Sequence, residues 1–285
     1  MNASAKPARH EPALSSRSNF QLILWNVIWL ACLVLVHPGT AASPSVVQLP
    51  VRAGVTLPFL YFAAEKPERV ALILLMGASG RVGIYPNGSM QADQAFLNRG
   101  ASALAARGAA VALVDAPSDH SGGLYGFRDS PEHAADLGAM IAWLRDKGHA
   151  QVWLVGHSRG TESAVSAAIR LGSPPRGPDG LVLTAPVLRA MSFPGRQGKA
   201  VTEFAFDQIH VPTLVLLHET DQCGTSPPSE LPVLRERLPE SLPRKAVLTI
   251  AGGRAGRGGC DTESHHSFSG REDAALDTII EFVLR

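Results

Sequence analysis

Charge of one sign is the first thing this chain lacks. Its 26 Lys and Arg stand against 25 Asp and Glu, a net charge of +1, with no long run of either sign. A nucleic-acid partner needs a basic stripe, so that class is set aside. Cysteine is scarce, at 3 in 285 residues. No set of potential ligands has the spacing of a metal site, so neither a metal nor a cofactor is expected. There is no internal repeat and no low-complexity tract, which excludes solenoids and disordered linkers. What is present is globular in kind: 45% hydrophobic and 18% charged residues, enough apolar material for a sizeable core.

The first forty residues stand apart. Lys6, Arg9 and Arg17 face one acid, Glu11, and then residues 20–36, FQLILWNVIWLACLVLV, are almost wholly apolar. Pro38 and Gly39 break any helix, and Thr40-Ala41-Ala42 supplies the small residues of a cleavage site. The segment reads as an export signal cut after Ala42. The competing reading is an uncleaved anchor, because the run nearly reaches bilayer-spanning length. Either way the basic flank stays inside and the domain faces out, in the periplasm or beyond the cell. A lipoprotein reading at Cys32 is discounted, since apolar residues continue past it. Residues 43–285, roughly 240 in all, suit a single α/β domain.

From residue 46 onward, short apolar runs alternate with helical patterns. SVVQLPV and VTLPFLYFA read as an antiparallel opening pair, and RVALILLM (69–76) as a strand buried on both faces. Helical spacing at 96–108 leads to a strand at 109–115. The helix at 130–148 is expected to begin with Ser130 as N-cap and Pro131 in its first turn. Strands at 151–155, 180–186, 212–221 and 245–253 alternate with helices at 160–172, near 229–238 and at 271–285. This predicts a mostly parallel central sheet with helices on both faces. Ligands then bind at the carboxyl ends of the strands.

The segment WLVGHSRGTE (153–162) places Gly156-His157-Ser158-Arg159-Gly160 between a strand and a helix. Glycine two positions either side of a serine lets a very tight turn lift the hydroxyl above the sheet edge. With 27 glycines in the chain, the spacing alone is weak. A simple βα turn capped by serine is the bland alternative. Chain order is the further test, because a serine nucleophile needs a base and an orienting acid. Asp221 leaves the run LVLLHETD at a carboxyl strand end, with Glu219 as the fallback acid. Of ten histidines, only His265 and His266 follow. The order Ser, Asp, His fits, and the two adjacent histidines remain open on spacing alone.

On these residues the chain resembles the α/β-hydrolase fold superfamily over most of 46–285. Within it, the chain resembles exported bacterial hydrolases of unassigned substrate in which one cysteine follows the acid and another precedes the histidine. Here ETDQC (219–223) and CDTESHHSFSGRE (260–272) match that pattern. The stretch 187–209 is too short for a large separate cap domain, and the resemblance implies a catalytic set of Ser158, Asp221 and His266. Phe268 and Gly270, two and four residues on, select His266 over His265. It also implies backbone oxyanion donors at Arg159 and, on the loop after residue 76, at Ala78. Met76 stands where many such relatives carry histidine, which leaves that second donor less closely defined. Cys223 and Cys260 are expected to form a disulfide, an even pair in an exported protein.

The expected activity is cleavage of a carboxylic ester through an acyl-enzyme, with a small-molecule ester-like substrate and a monomeric protein. The same residues would serve a peptidase, a thioesterase or an acyltransferase, and a silent binding module of the same fold is the alternative from another class. The site is expected to be open, framed by loops 78–95 and 117–129. His157 reads as structural, Asp119 and His120 as solvated loop, His133 and Asp136 as surface or packing residues, and Arg159 as an exposed arginine at a helix start.

Overall fold

The computed structural model describes residues 43–64, 69–190 and 198–285; the signal-or-anchor reading of the N-terminus lies outside them. The antiparallel pair β1 (Ser45–Arg52) and β2 (Val55–Phe62) opens the fold, turning at Gly54 with φ +72. β2 then lies antiparallel against β4 (Ala110–Val114). From there the sheet is parallel through β3 (Val70–Leu75), β5 (Gln151–His157), β6 (Gly180–Thr184), β7 (Thr213–His218) and β8 (Lys245–Ile250). The eight strands lie in the order β1-β2-β4-β3-β5-β6-β7-β8.

The strands' two-residue alternation sends side chains to two cores. Ala71, Ile73 and Leu75 of β3 face α2 (Pro131–Asp146), α3 (Gly160–Leu171) and α4 (Leu231–Arg237). Val70, Leu72 and Leu74 face α1 (Phe96–Ala106) and α5 (Glu272–Val283) on the other side. Coverage on both faces explains why β3, β4 and β6 are buried at every position. Each such Leu, Ile or Val contributes about 1.5–3 kcal/mol through burial. The predicted α2 cap is present: the Ser130 hydroxyl accepts from the His133 N–H at 3.0 Å.

Two local results matter for function. β5 runs two residues further than the apolar pattern predicts, through Gly156 and His157, and so delivers the chain to Ser158 still extended. Between β6 and β7, the described residues hold two short 3-10 turns, at Val201–Glu203 and Phe206–Gln208, and no large cap. Among the described residues, no helix is long and apolar enough to cross a membrane.

Candidate active site

Ser158 sits between β5 and α3 at φ +52, in the left-handed region that side chains other than glycine avoid. Its neighbours hold it there. The Ser158 N–H donates to Thr184 O at 2.9 Å, and its carbonyl accepts from the Thr161 N–H and hydroxyl at 3.0 and 2.6 Å. The flanking glycines are required by space rather than by flexibility. A Cβ at 156 would stand 2.6 Å from Gly160 O, and one at 160 would stand 1.9 Å from Leu75 O. Strand and helix therefore touch across the turn, and the serine side chain is left half-buried above the sheet edge.

Asp221 and His266 arrive from the ends of two other segments. Asp221 lies three residues past β7, and its Oδ1 accepts from the Cys223 N–H at 2.8 Å. Its Oδ2 lies 2.8 Å from His266 Nδ1, with both side chains buried. His266 rides on a 3-10 turn, His265–Ser267, closed by Phe268 in the left-handed conformation at φ +54. That residue is fully buried and packs 5.0 Å from the Phe96 ring. His265 turns elsewhere, stacking on His218 at 4.0 Å with its Nδ1 2.9 Å from the Thr220 hydroxyl. Glu219 is exposed. The acid therefore meets the second histidine of the pair.

Ser158 and His266 line one cavity of about 360 Å³. Its apolar side is Met76, Ala92, Ala95, Phe96 and Leu97, and its polar rim includes Gln91, Gln94 and Thr262. Gly77, Ala78 and Arg159 border it as well. The opposite wall is the disulfide joining Cys223 to Cys260, with their Cα atoms 4.5 Å apart. The bridge ties the acid segment to the Gly-rich segment before His266. His157 also lines the cavity; its ring lies 5.2 Å from the His266 ring and shares a hydrogen bond of 3.1 Å with the Thr184 hydroxyl. Burial, reinforced by His266 and Arg99, holds His157 well below the usual histidine range, so it stays neutral. It is a packing residue, as its place beside the serine predicts.

Some expectations need correction. Arg159 is only 4% exposed, not a surface arginine: Glu162, one turn on, pairs with it at 3.0 Å, and it lies over the Tyr125 ring. Asp119 is exposed, as expected of a loop residue, and is held by Arg52 at 2.7 Å, while His120 is half-buried and stacks on Phe127 at 3.7 Å. Of the two readings for His133 and Asp136, packing is the one the structure shows: both are fully buried, and Asp136 takes the other side of Arg52. Loop 78–95 frames the cavity as predicted, but no residue of 117–129 lines it.

Two buried charges that the sequence did not single out hold the loop after β3. Asp115 collects the Val82, Gly83 and Ile84 N–H groups at 2.7–2.9 Å. Arg128 donates to the Met76, Gly77 and Ala78 carbonyls at 3.1, 3.3 and 3.2 Å and to Ser163 Oγ at 3.0 Å. Among the described residues, no cluster of His, Cys, Asp and Glu could hold a metal ion.

A scan against models of known families and a search of curated proteins both find no match. Solved structures do match. An α/β serine hydrolase without lid from Xanthomonas campestris is similar at 18% identity, covering 87% of this chain and 97% of its own, with a TM-score of 0.58. A dienelactone hydrolase from Anabaena variabilis matches at 17% identity over 85% of this chain and 98% of its own, TM-score 0.55. A Pyrococcus furiosus esterase matches at 14% identity over 85% and 91%, TM-score 0.60. At such identities the likeness shows the fold, which is the α/β-hydrolase fold.

Proposed function

We propose that this chain is an exported serine hydrolase that cleaves small carboxylic esters through an acyl-enzyme on Ser158. The observation that carries the reading is a serine held at φ +52 in the same cavity as a histidine whose other face is bound by a buried carboxylate. With Nδ1 given to Asp221, the His266 tautomer leaves Nε2 to take the Ser158 proton. The serine oxygen attacks the ester carbonyl, and the Arg159 and Ala78 N–H groups receive the oxyanion. The imidazolium returns its proton to the departing alcohol, and water then hydrolyses the acyl-enzyme by the same route.

The cavity supports the choice of substrate. Its volume of about 360 Å³ lies near the lower end of the range for small-molecule sites, and its lining is mainly apolar. A compact, uncharged acyl group fits better than a long chain or a peptide. Solved neighbours described as esterases lend weight to an ester over a thioester or amide. Export belongs to the same proposal: residues 1–42 have the form of a cleavable signal, and a disulfide persists outside the reducing cytosol. A monomer without cofactor suffices for the chemistry.

The test is labelling of the mature protein by a fluorophosphonate, followed by a panel of short-chain esters. Ser158→Ala should remove both labelling and turnover while leaving the fold intact. Esterase activity retained in that variant would refute the assignment, and a wild-type chain that is folded yet unlabelled would favour a binding module.

A further inference from the structure

The Arg128 guanidinium lies beneath the loop after β3, 2% exposed, and no carboxylate pairs with it among the described residues. Burial pushes it down to about 10, opposed by the charge of Glu162, so it remains protonated at neutral pH. Arg159 and Glu162 nearby offset one another at 3.0 Å. A buried cation with no carboxylate hydrogen-bonded to it is a poor device for stability. Its contacts indicate a different task. Nη2 gathers three successive carbonyls, of Met76, Gly77 and Ala78, and Nη1 ties the group to Ser163 in α3.

A planar trans peptide unit points its carbonyl and its N–H in opposite directions. In the unit joining Gly77 to Ala78, the carbonyl accepts from the Gly80 N–H at 2.8 Å and from Arg128 at 3.3 Å, so the Ala78 N–H faces away from that cation. Ala78 and Ser158 line the cavity, and Arg128 does not. The approach is close: a Cβ on Gly77 would stand 2.8 Å from Ser158 Cβ and 3.4 Å from its Oγ. Ala78 is also strained, at φ +47, where a residue with a Cβ is disfavoured. Three carbonyls converging on one cation oppose the relaxation of that strain.

We propose that Arg128 is the positioning residue of the oxyanion site: gripping the Met76–Ala78 carbonyls from beneath, it aims the Ala78 N–H at the oxygen of the ester attacked by Ser158. The inference rests on the serine-hydrolase reading above.

The test compares Arg128→Met, Arg128→Lys and Ser163→Ala with the wild type. Short-chain p-nitrophenyl ester hydrolysis is expressed per fluorophosphonate-titrated site, so unfolded protein does not count. In Arg128→Met, kcat should fall about 30- to 100-fold with KM within about threefold. Inhibition by a short alkyl boronic acid, which forms a tetrahedral anion on serine, should weaken by a similar factor. Arg128→Lys should recover part of the loss, and Ser163→Ala should lower kcat about threefold. An unchanged kcat per site, or a loss carried in KM with boronate affinity intact, overturns the proposal. Should Arg128→Met not fold, the other two variants decide: kcat lowered at constant KM supports it, and unchanged kcat in both overturns it. If the underlying reading is wrong, the wild type itself will bind no fluorophosphonate at Ser158 and hydrolyse no ester, and both proposals fall.

Discussion

His133→Phe is expected to flatten the acid side of the stability curve. The His133 ring is 1% exposed near the start of α2, and neither nitrogen has a hydrogen-bond partner among the described residues. Burial, followed by the charges of Arg128, His120 and Arg52, holds it down to about 3, against an ordinary value of 6.5. Between these values the unfolded chain binds the extra proton. Stability therefore rises with pH across that window and drains away as pH falls below about 6.5. At pH 5 the loss from this one ring is about 2 kcal/mol, from 1.4 kcal/mol per pH unit below the unfolded value. Phenylalanine keeps an aromatic ring beside Phe127, whose centroid lies 5.3 Å away, and cannot protonate. Urea unfolding with the disulfide intact, at several pH values from 8 to 5, measures the effect. His157 contributes acid sensitivity of the same sign to both proteins, so the wild-type-minus-variant difference isolates residue 133. Parallel curves over that range would show that the ring is not held neutral by burial.

Asp221→Asn should preserve the fold but lower kcat by about 1,000- to 10,000-fold, because the amide stabilises the wrong imidazole tautomer; stopped-flow or overnight ester assays bracket that range, and a loss below tenfold would point to another acid. Replacing Cys223 and Cys260 together by serine opens a separation of 37 residues and should cost about 4 kcal/mol on the chain-entropy account. The same shift should appear in the wild type on adding a reductant, and an unchanged thermal midpoint in both would contradict it. Gly160→Ala should cost about 3 kcal/mol or more, since the new methyl meets the main-chain Leu75 O at 1.9 Å and neither can swing aside. Gly122→Ala, with nothing within 4 Å, is the control and should change stability by no more than about 0.5 kcal/mol.

The sheet was readable because its strands are short apolar runs punctuated by glycine. VALILL in β3 could face a core on either side, and does. The strand ends forecast that the segments of Ser158, Asp221 and the histidine pair would lie together, whereas His266 was preferred to His265 only through the resemblance, on Phe268 and Gly270. Gly156 and His157 blurred the end of β5, since neither has strong strand character, and parallel pairing with Leu183 and Thr184 extends them. Arg159 misled for a local reason: its counter-charge sits at the i+3 position, and the segment RGTE already contained that pair. Arg128 and Asp115 carried no comparable signal. Their partners are main-chain groups 31 to 52 residues away, except for Ser163 and the adjacent Ala116, and no side-chain pattern records where a distant carbonyl or N–H will turn.

The loop after β3 is clasped by two opposite charges, one collecting its oxygens and the other its nitrogens, all of them main-chain groups. Its shape is thus written in main-chain polarity, while the side chains at 93 and 94 face solvent at the cavity. Exchanging those residues should retune which molecules the protein accepts at little structural expense. Enlarging the chamber by lengthening the loop would break the clasp itself.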